Sequence, residues 1–170
     1  MIDINDNQIQ IENIPFKCVK SRIKREYEYL SIKYPKIIIK YNNILNEVNL
    51  TVFETEKDDS FKYTFILTSS YPFSPPKIYC NNIEYSNFLK LSSDRMHKYL
   101  QNITKLECLC CTSYICTDNW SLTLKLINVI DEIHDKRKIK RNIIIKILCD
   151  QIINKYLIND IKLDKYLFDI

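Results

Sequence analysis

The chain of 170 residues contains no glycine. Glycine takes positive φ without a steric penalty, and its bare backbone is what approaches a pyrophosphate closely. Its absence excludes glycine-rich phosphate loops and dinucleotide fingerprints. It also leaves every left-handed turn to Asn or Asp, with Asn42-Asn43, Asn81-Asn82 and Asp58-Asp59 as the expected positions. Alanine is missing too, while Ile, Lys and Asn are heavily used. Those three have AT-rich codons, which suggests the genome of a parasite, an endosymbiont or a large DNA virus.

A chain of this length buries a sizeable core without metal or disulfide support. A single domain spanning 1–170 is therefore expected. Lys+Arg of 25 against Asp+Glu of 21 is an ordinary mixed surface, so nucleic acid is not an expected partner. No apolar run approaches the roughly 18 residues that span a bilayer, and no membrane partner is expected. The acidic, polar start MIDINDNQIQIEN is wrong for a secretory signal. Seven cysteines, an odd number, then point to a reducing compartment and a cytoplasmic location, host cytoplasm or virion for a viral protein. Cys18, Cys80 and Cys149 sit among apolar neighbours and are assigned to packing.

Along the chain, residues 1–17 read as an extended lead-in. From Ser21, a potential cap, the pattern turns helical, with Ile23, Tyr27 and Leu30 on one face and Arg22, Lys24, Arg25 and Glu28 on the other. Pro35 stops that helix near Tyr34. KIIIKY (36–41), EVNLTVF (47–53) and FKYTFILT (61–68) read as three antiparallel strands, and KIYC (77–80) as a fourth. Between the last two, YPFSPP (71–76) fits neither strand nor helix interior. Residues 83–100 suggest one or two short helices. Ser121–His134 predicts a helix with Leu122, Leu126, Val129, Ile130 and Ile133 on one face. Arg141–Leu157 predicts another, with Ile143, Ile144, Ile147, Leu148 and Ile152 as its stripe, and DKRKIKR (135–141) joins the two. IKLDKYLFDI is apolar enough to dock on the body. The fold class is α+β.

Several of these segments, in order, resemble the ubiquitin-conjugating enzyme family. RIKREYEYL (22–30) before Tyr34-Pro35 is similar to its opening helix, and YPFSPPKI (71–78) to its Tyr-Pro-Phe-x-Pro-Pro loop. CL (108–109), then TDNWSL (117–122) and an amphipathic helix, resembles its Cys-Leu … Trp-Ser-Pro-helix signature. The likeness covers roughly residues 20–157. There are departures. Where the family has His-Pro-Asn, this chain has Leu100-Gln101-Asn102. Residues 83–99 look like an insertion, the loop from Asn102 to Cys108 is short, and Leu122 replaces the proline after Trp-Ser.

The resemblance implies a helix, a four-stranded antiparallel meander and C-terminal helices. It implies transfer of ubiquitin or a ubiquitin-like modifier from an activating enzyme to a cysteine thioester, and then to a lysine amine. No cofactor and no metal are needed. A thiol suits the task because it is partly ionised at neutral pH and intrinsically nucleophilic. Cys108 is the candidate nucleophile, with Cys110 and Cys111 as alternatives, and Asn102 is the candidate amide beside the oxyanion. By the same resemblance, Arg22, with Lys24 and Arg25, belongs to a surface for the activating enzyme, and Phe73 and Leu122 to one for a RING-type ligase. Plainer assignments compete: a solvated helix face for the basic residues, core for Phe73 and Leu122, and space-filling for Cys110 and Cys111. Trp120 reads as an anchor packing the cysteine loop on the body, and DKRKIKR as a solvated run. A non-catalytic module of the same family is the alternative to an enzyme. A zinc-stabilised domain is a third reading, but C-x-C-C-x4-C does not present ligand pairs as C-x2-C does, and His97 and His134 read as surface histidines.

Overall fold

Alternating burial along the strands builds the sheet, because successive side chains of a strand point to opposite faces. The computed structural model describes residues 7, 10–55 and 61–167. Its elements run α1 (Lys17–Lys33), β1 (Lys36–Asn42), β2 (Glu47–Phe53), β3 (Lys62–Leu67), β4 (Lys77–Cys80), β5 (Ile83–Glu84), α2 (Tyr85–Leu89), α3 (Asp94–Thr104) and α4 (Leu126–Leu167). The class is α+β. The strands form one antiparallel meander in sequence order, the four expected plus the two-residue β5. Register sets Ile39 against Leu50, Leu50 against Phe65, and Phe65 against Ile78, and all four are buried. Each such side chain contributes about 1.5–3 kcal/mol by leaving water.

Turn chemistry follows the missing glycine in part. Asn81 and Asn82 take positive φ, 48° and 67°. In the first hairpin the positive φ falls on Asn46 and not on Asn42-Asn43. Asn42 Oδ1 instead accepts from the Ile44 and Leu45 amides, at 3.0 and 3.2 Å, an Asx turn. Lys105, φ 63°, ends α3, so one left-handed position belongs to neither Asn nor Asp. Asp58-Asp59 lies outside the described residues, as do the side chain of Cys18 and those of the last segment.

Other expectations are corrected. The lead-in is not extended: residues 10–12 are helical, and Ile11 and Ile14 are buried. Asn7 lies against the edge of β1, where its Nδ2 donates to the Ile37 carbonyl at 2.8 Å and its Oδ1 accepts from the Ile39 amide at 2.9 Å. Gln10 Oε1 accepts from the Tyr41 amide. Side-chain amides thus stand in for a neighbouring strand on an edge that would otherwise present open ladder groups. Ser21 is no cap, because α1 begins at Lys17; its end at Tyr34 is as Pro35 requires. The buried face of α1 is Val19, Ile23, Glu26 and Leu30, with Tyr27 only half-buried.

The two expected C-terminal helices are one. DKRKIKR contains neither glycine nor proline, and Lys and Arg are good helix formers, so nothing in it breaks the chain. The helix begins at Leu126 rather than Ser121, and Leu122 sits exposed ahead of it, not on its apolar face. Leu126, Val129, Ile130 and Ile133 are buried as expected. Of the later stripe only Ile143 is buried; Ile147 is half-buried, and Ile144, Leu148 and Ile152 are exposed. Cys149 is likewise exposed rather than packed, whereas Cys80 is buried.

The chain divides into two units, Met1–Lys90 with Leu109–Ile133, and Leu91–Cys108 with His134–Ile170. The first holds α1, the sheet, α2, the cysteine-rich loop and the start of α4. The second holds α3 and the remainder of α4, with Leu100 and Ile143 fully buried and the Tyr99 hydroxyl donating to Asp150. Among the described residues no helix is long and apolar enough to cross a membrane.

Candidate functional site

In the first unit, Arg22 and Arg25 of α1, Phe73 of the proline loop and Leu122 line one cleft of about 600 Å³, together with Lys17, Ser21 and Pro72. Up to 105 positions separate these residues, so their meeting is a product of the fold. Phe73 is 69% and Leu122 49% exposed, so neither is core.

Buried Glu26 organises the cleft. One carboxylate oxygen accepts from Arg22 Nε at 2.7 Å and from the Tyr71 hydroxyl at 3.0 Å, and the other from the Leu126 amide at 2.9 Å. That bond satisfies one of the orphan donors at the start of α4. Arg22 Nη1 donates to the Leu122 carbonyl at 2.9 Å, and Nη2 to that of Leu124. Burial works against the Arg22 charge, but Tyr71 and Glu26 outweigh it and hold the guanidinium above its ordinary pKa. Burial, and then the Glu26 charge, push the Tyr71 phenol well above its usual range. Arg22 is therefore not a solvated residue: it fixes the wall that carries Leu122. Lys17 and Arg25 supply positive charge at the cleft, and Arg25 is exposed.

The cysteine loop in the same unit is held from two sides. Glu132, on the first turns of α4, is nearly buried and accepts from the Ser113 hydroxyl at 2.5 Å, the Tyr114 amide at 2.6 Å and the Tyr85 hydroxyl at 2.8 Å. Tyr85 is fully buried, and desolvation followed by the Glu132 charge pushes its phenol well above the usual range. Trp120 Nε1 donates to the Pro72 carbonyl at 2.7 Å, and its ring lies 6.2 Å from that of Tyr71. Trp120 is the expected anchor, and it ties the loop to the proline segment. Asn119 Nδ2 bridges the Cys111 and Ser113 carbonyls at 2.7 and 3.0 Å. Leu109 is fully buried, while Cys110 and Cys111 are exposed, with sulfurs 4.0 Å apart. Cys116 is half-buried.

Cys108 and Asn102 belong to the second unit. Cys108 is half-buried, beyond the left-handed turn at Lys105 that ends α3. Asn102 is exposed and lies within α3, not in a loop. Gln101 therefore occupies a helical position, where proline costs about 3 kcal/mol. Leu100 is fully buried, which suits a leucine. Leu100-Gln101-Asn102 is thus helical backbone.

Sequence reading missed Glu26, Glu132 and Lys17. Glu26 stands at i+3 from Ile23, and Glu132 at i+3 from Val129. A carboxylate on an apolar stripe marks a buried acceptor, because buried charge persists only when its hydrogen bonds are made. No protein-family model, curated protein or solved structure matches this chain.

Proposed function

We propose that this chain is a ubiquitin-conjugating-type acyl carrier. The observation that carries the reading is the cleft. Four residues named from motif resemblance alone, Arg22, Arg25, Phe73 and Leu122, line one concavity. Its basic edge and exposed apolar side chains suit a protein partner. The element order adds support: a helix, an antiparallel meander with the proline loop between its third and fourth strands, two short helices, the cysteine loop and a helix.

The chemistry uses no cofactor. The Cys108 thiolate attacks the thioester carbonyl of ubiquitin or a ubiquitin-like modifier on its activating enzyme. A new C–S bond forms, and the activating enzyme's sulfur leaves as thiolate. A lysine amine then attacks the new thioester: C–N forms, C–S breaks, the Cys108 thiolate departs and the amine proton passes to solvent. Asn102 donates to the oxyanion of the tetrahedral intermediate. A RING-type ligase would dock at Phe73 and Leu122.

The test is incubation with activating enzyme, ATP and ubiquitin, read on a non-reducing gel. A reductant-sensitive adduct is expected, lost in Cys108→Ala and kept in Cys110→Ala and Cys111→Ala. Absence of any adduct overturns the enzymatic reading. The second reading, a non-catalytic module of the same type, is favoured by the helical setting of Asn102. It predicts binding of a conjugation partner at the cleft with no adduct.

A further inference from the structure

The sulfurs of Cys108, Cys110 and Cys111 all lie within 4.8 Å of one another, and those of Cys110 and Cys111 stand 4.0 Å apart. All three belong to one stretch of four consecutive residues, so the local backbone sets their spacing. That backbone is held in place. Leu109 is fully buried, while Cys110 and Cys111 are exposed on either side of the next peptide bond. Asn119 Nδ2 donates to the Cys111 carbonyl at 2.7 Å, the Ser113 amide to that of Cys110 at 3.1 Å, and the Thr112 hydroxyl to that of Leu109 at 3.3 Å. Glu132 then fixes Ser113 and Tyr114 just beyond.

We infer that Cys108, Cys110 and Cys111 bind one Cu(I) ion through three thiolates. A centre about 2.3 Å from each sulfur sets edges of about 4.0 Å in a trigonal site and about 3.8 Å in a tetrahedron. The Cys110–Cys111 separation is the trigonal edge. Structural zinc sites close on four protein ligands, commonly with a C-x2-C pair. Among the described residues no histidine or carboxylate joins the three sulfurs. A set of three soft thiolates suits Cu(I), a d10 ion satisfied by three ligands, better than Zn(II), which takes four. Ligation exchanges S–H for S–Cu: the thiol protons pass to solvent, copper stays monovalent, and no oxidant is consumed.

The inference is independent of thioester chemistry, because its test uses neither activating enzyme nor ubiquitin. The full chain, reduced and under anaerobic conditions, is titrated with Cu(I) supplied as its acetonitrile complex, with ferrozine as the competing chelator. One copper retained per chain is expected, with thiolate-to-copper charge-transfer absorption in the ultraviolet and three sulfur neighbours by X-ray absorption at the copper edge. Cys110→Ser and Cys111→Ser should each lower the affinity by about tenfold or more, since losing even an outer-shell partner of a metal site costs about that much. Both positions are exposed, so the circular dichroism spectrum should stay unchanged. Cys149→Ser, on α4, should bind copper as the parent chain does. Complete loss of copper to the chelator overturns the inference, as do unaltered affinity in both loop variants and two sulfur neighbours in place of three. So does an equal loss in Cys149→Ser, or a preference for Zn(II) in direct competition.

Discussion

Replacing Glu132 should loosen the cysteine loop and destabilise the first unit together. Its carboxylate takes three hydrogen bonds, from Ser113, Tyr114 and Tyr85, and both Ser113 and Tyr85 are fully buried. Hydrogen bonds to a charged group contribute about 1.5–3 kcal/mol each, and a buried donor left unmade costs about 1–3 kcal/mol. The three share one acceptor group and do not add, so Glu132→Ala should cost about 3–5 kcal/mol in all. Glu132→Gln retains one acceptor oxygen and should cost about 1–2 kcal/mol. Urea denaturation gives the loss, and amide hydrogen exchange at Tyr114 reports the loop directly. The alanine variant should lose protection at Tyr114 under native conditions. A loss below about 1 kcal/mol, or unchanged exchange at Tyr114, would refute the clamp.

Three further outcomes follow from the same geometry. Asn7→Ala removes both side-chain bonds along β1 and should cost about 1–3 kcal/mol, with concentration-dependent association by light scattering as the edge opens. Tyr85 has a raised phenolic pKa when folded, so its contribution is complete below the unfolded value of about 10 and is lost as pH rises beyond it, because the unfolded chain releases a proton that the folded chain keeps. Tyr85→Phe should lower neutral-pH stability by about 1 kcal/mol yet flatten the alkaline fall, measured by denaturation midpoints on either side of pH ~10. Phe73→Ala, at an exposed site, should change stability by less than about 0.5 kcal/mol while weakening capture of a RING-type ligase in a pull-down; a collapse in stability would make Phe73 a packing residue instead.

The sheet was legible because its signal is local: period-two alternation in 47–53 and 61–67 needs no knowledge of the rest of the chain. The proline loop was legible for a similar reason, since proline excludes ladder positions. Continuity through 135–141 was harder to read, because a run of charges looks like a linker although its residues favour a helix. The stripe after Arg141 was legible from periodicity, but periodicity records that one face is apolar, not that another element covers it. Glu26 and Glu132 stood on apolar stripes, yet identifying them as buried acceptors needs their donors, which come from segments far away in sequence. Arg22 shows the same limit: its charge was visible, but not the Leu122 and Leu124 carbonyls that occupy it.

The claim that this chain carries an acyl group rests on one sulfur. The most direct measurement is intact-mass analysis of the protein after reaction with activating enzyme, ATP and ubiquitin, followed by peptide mapping of the linkage. A mass increase of one modifier, reversed by thiol and mapped to Cys108, is the predicted result. An unmodified protein, or an adduct that persists in Cys108→Ala, would contradict it.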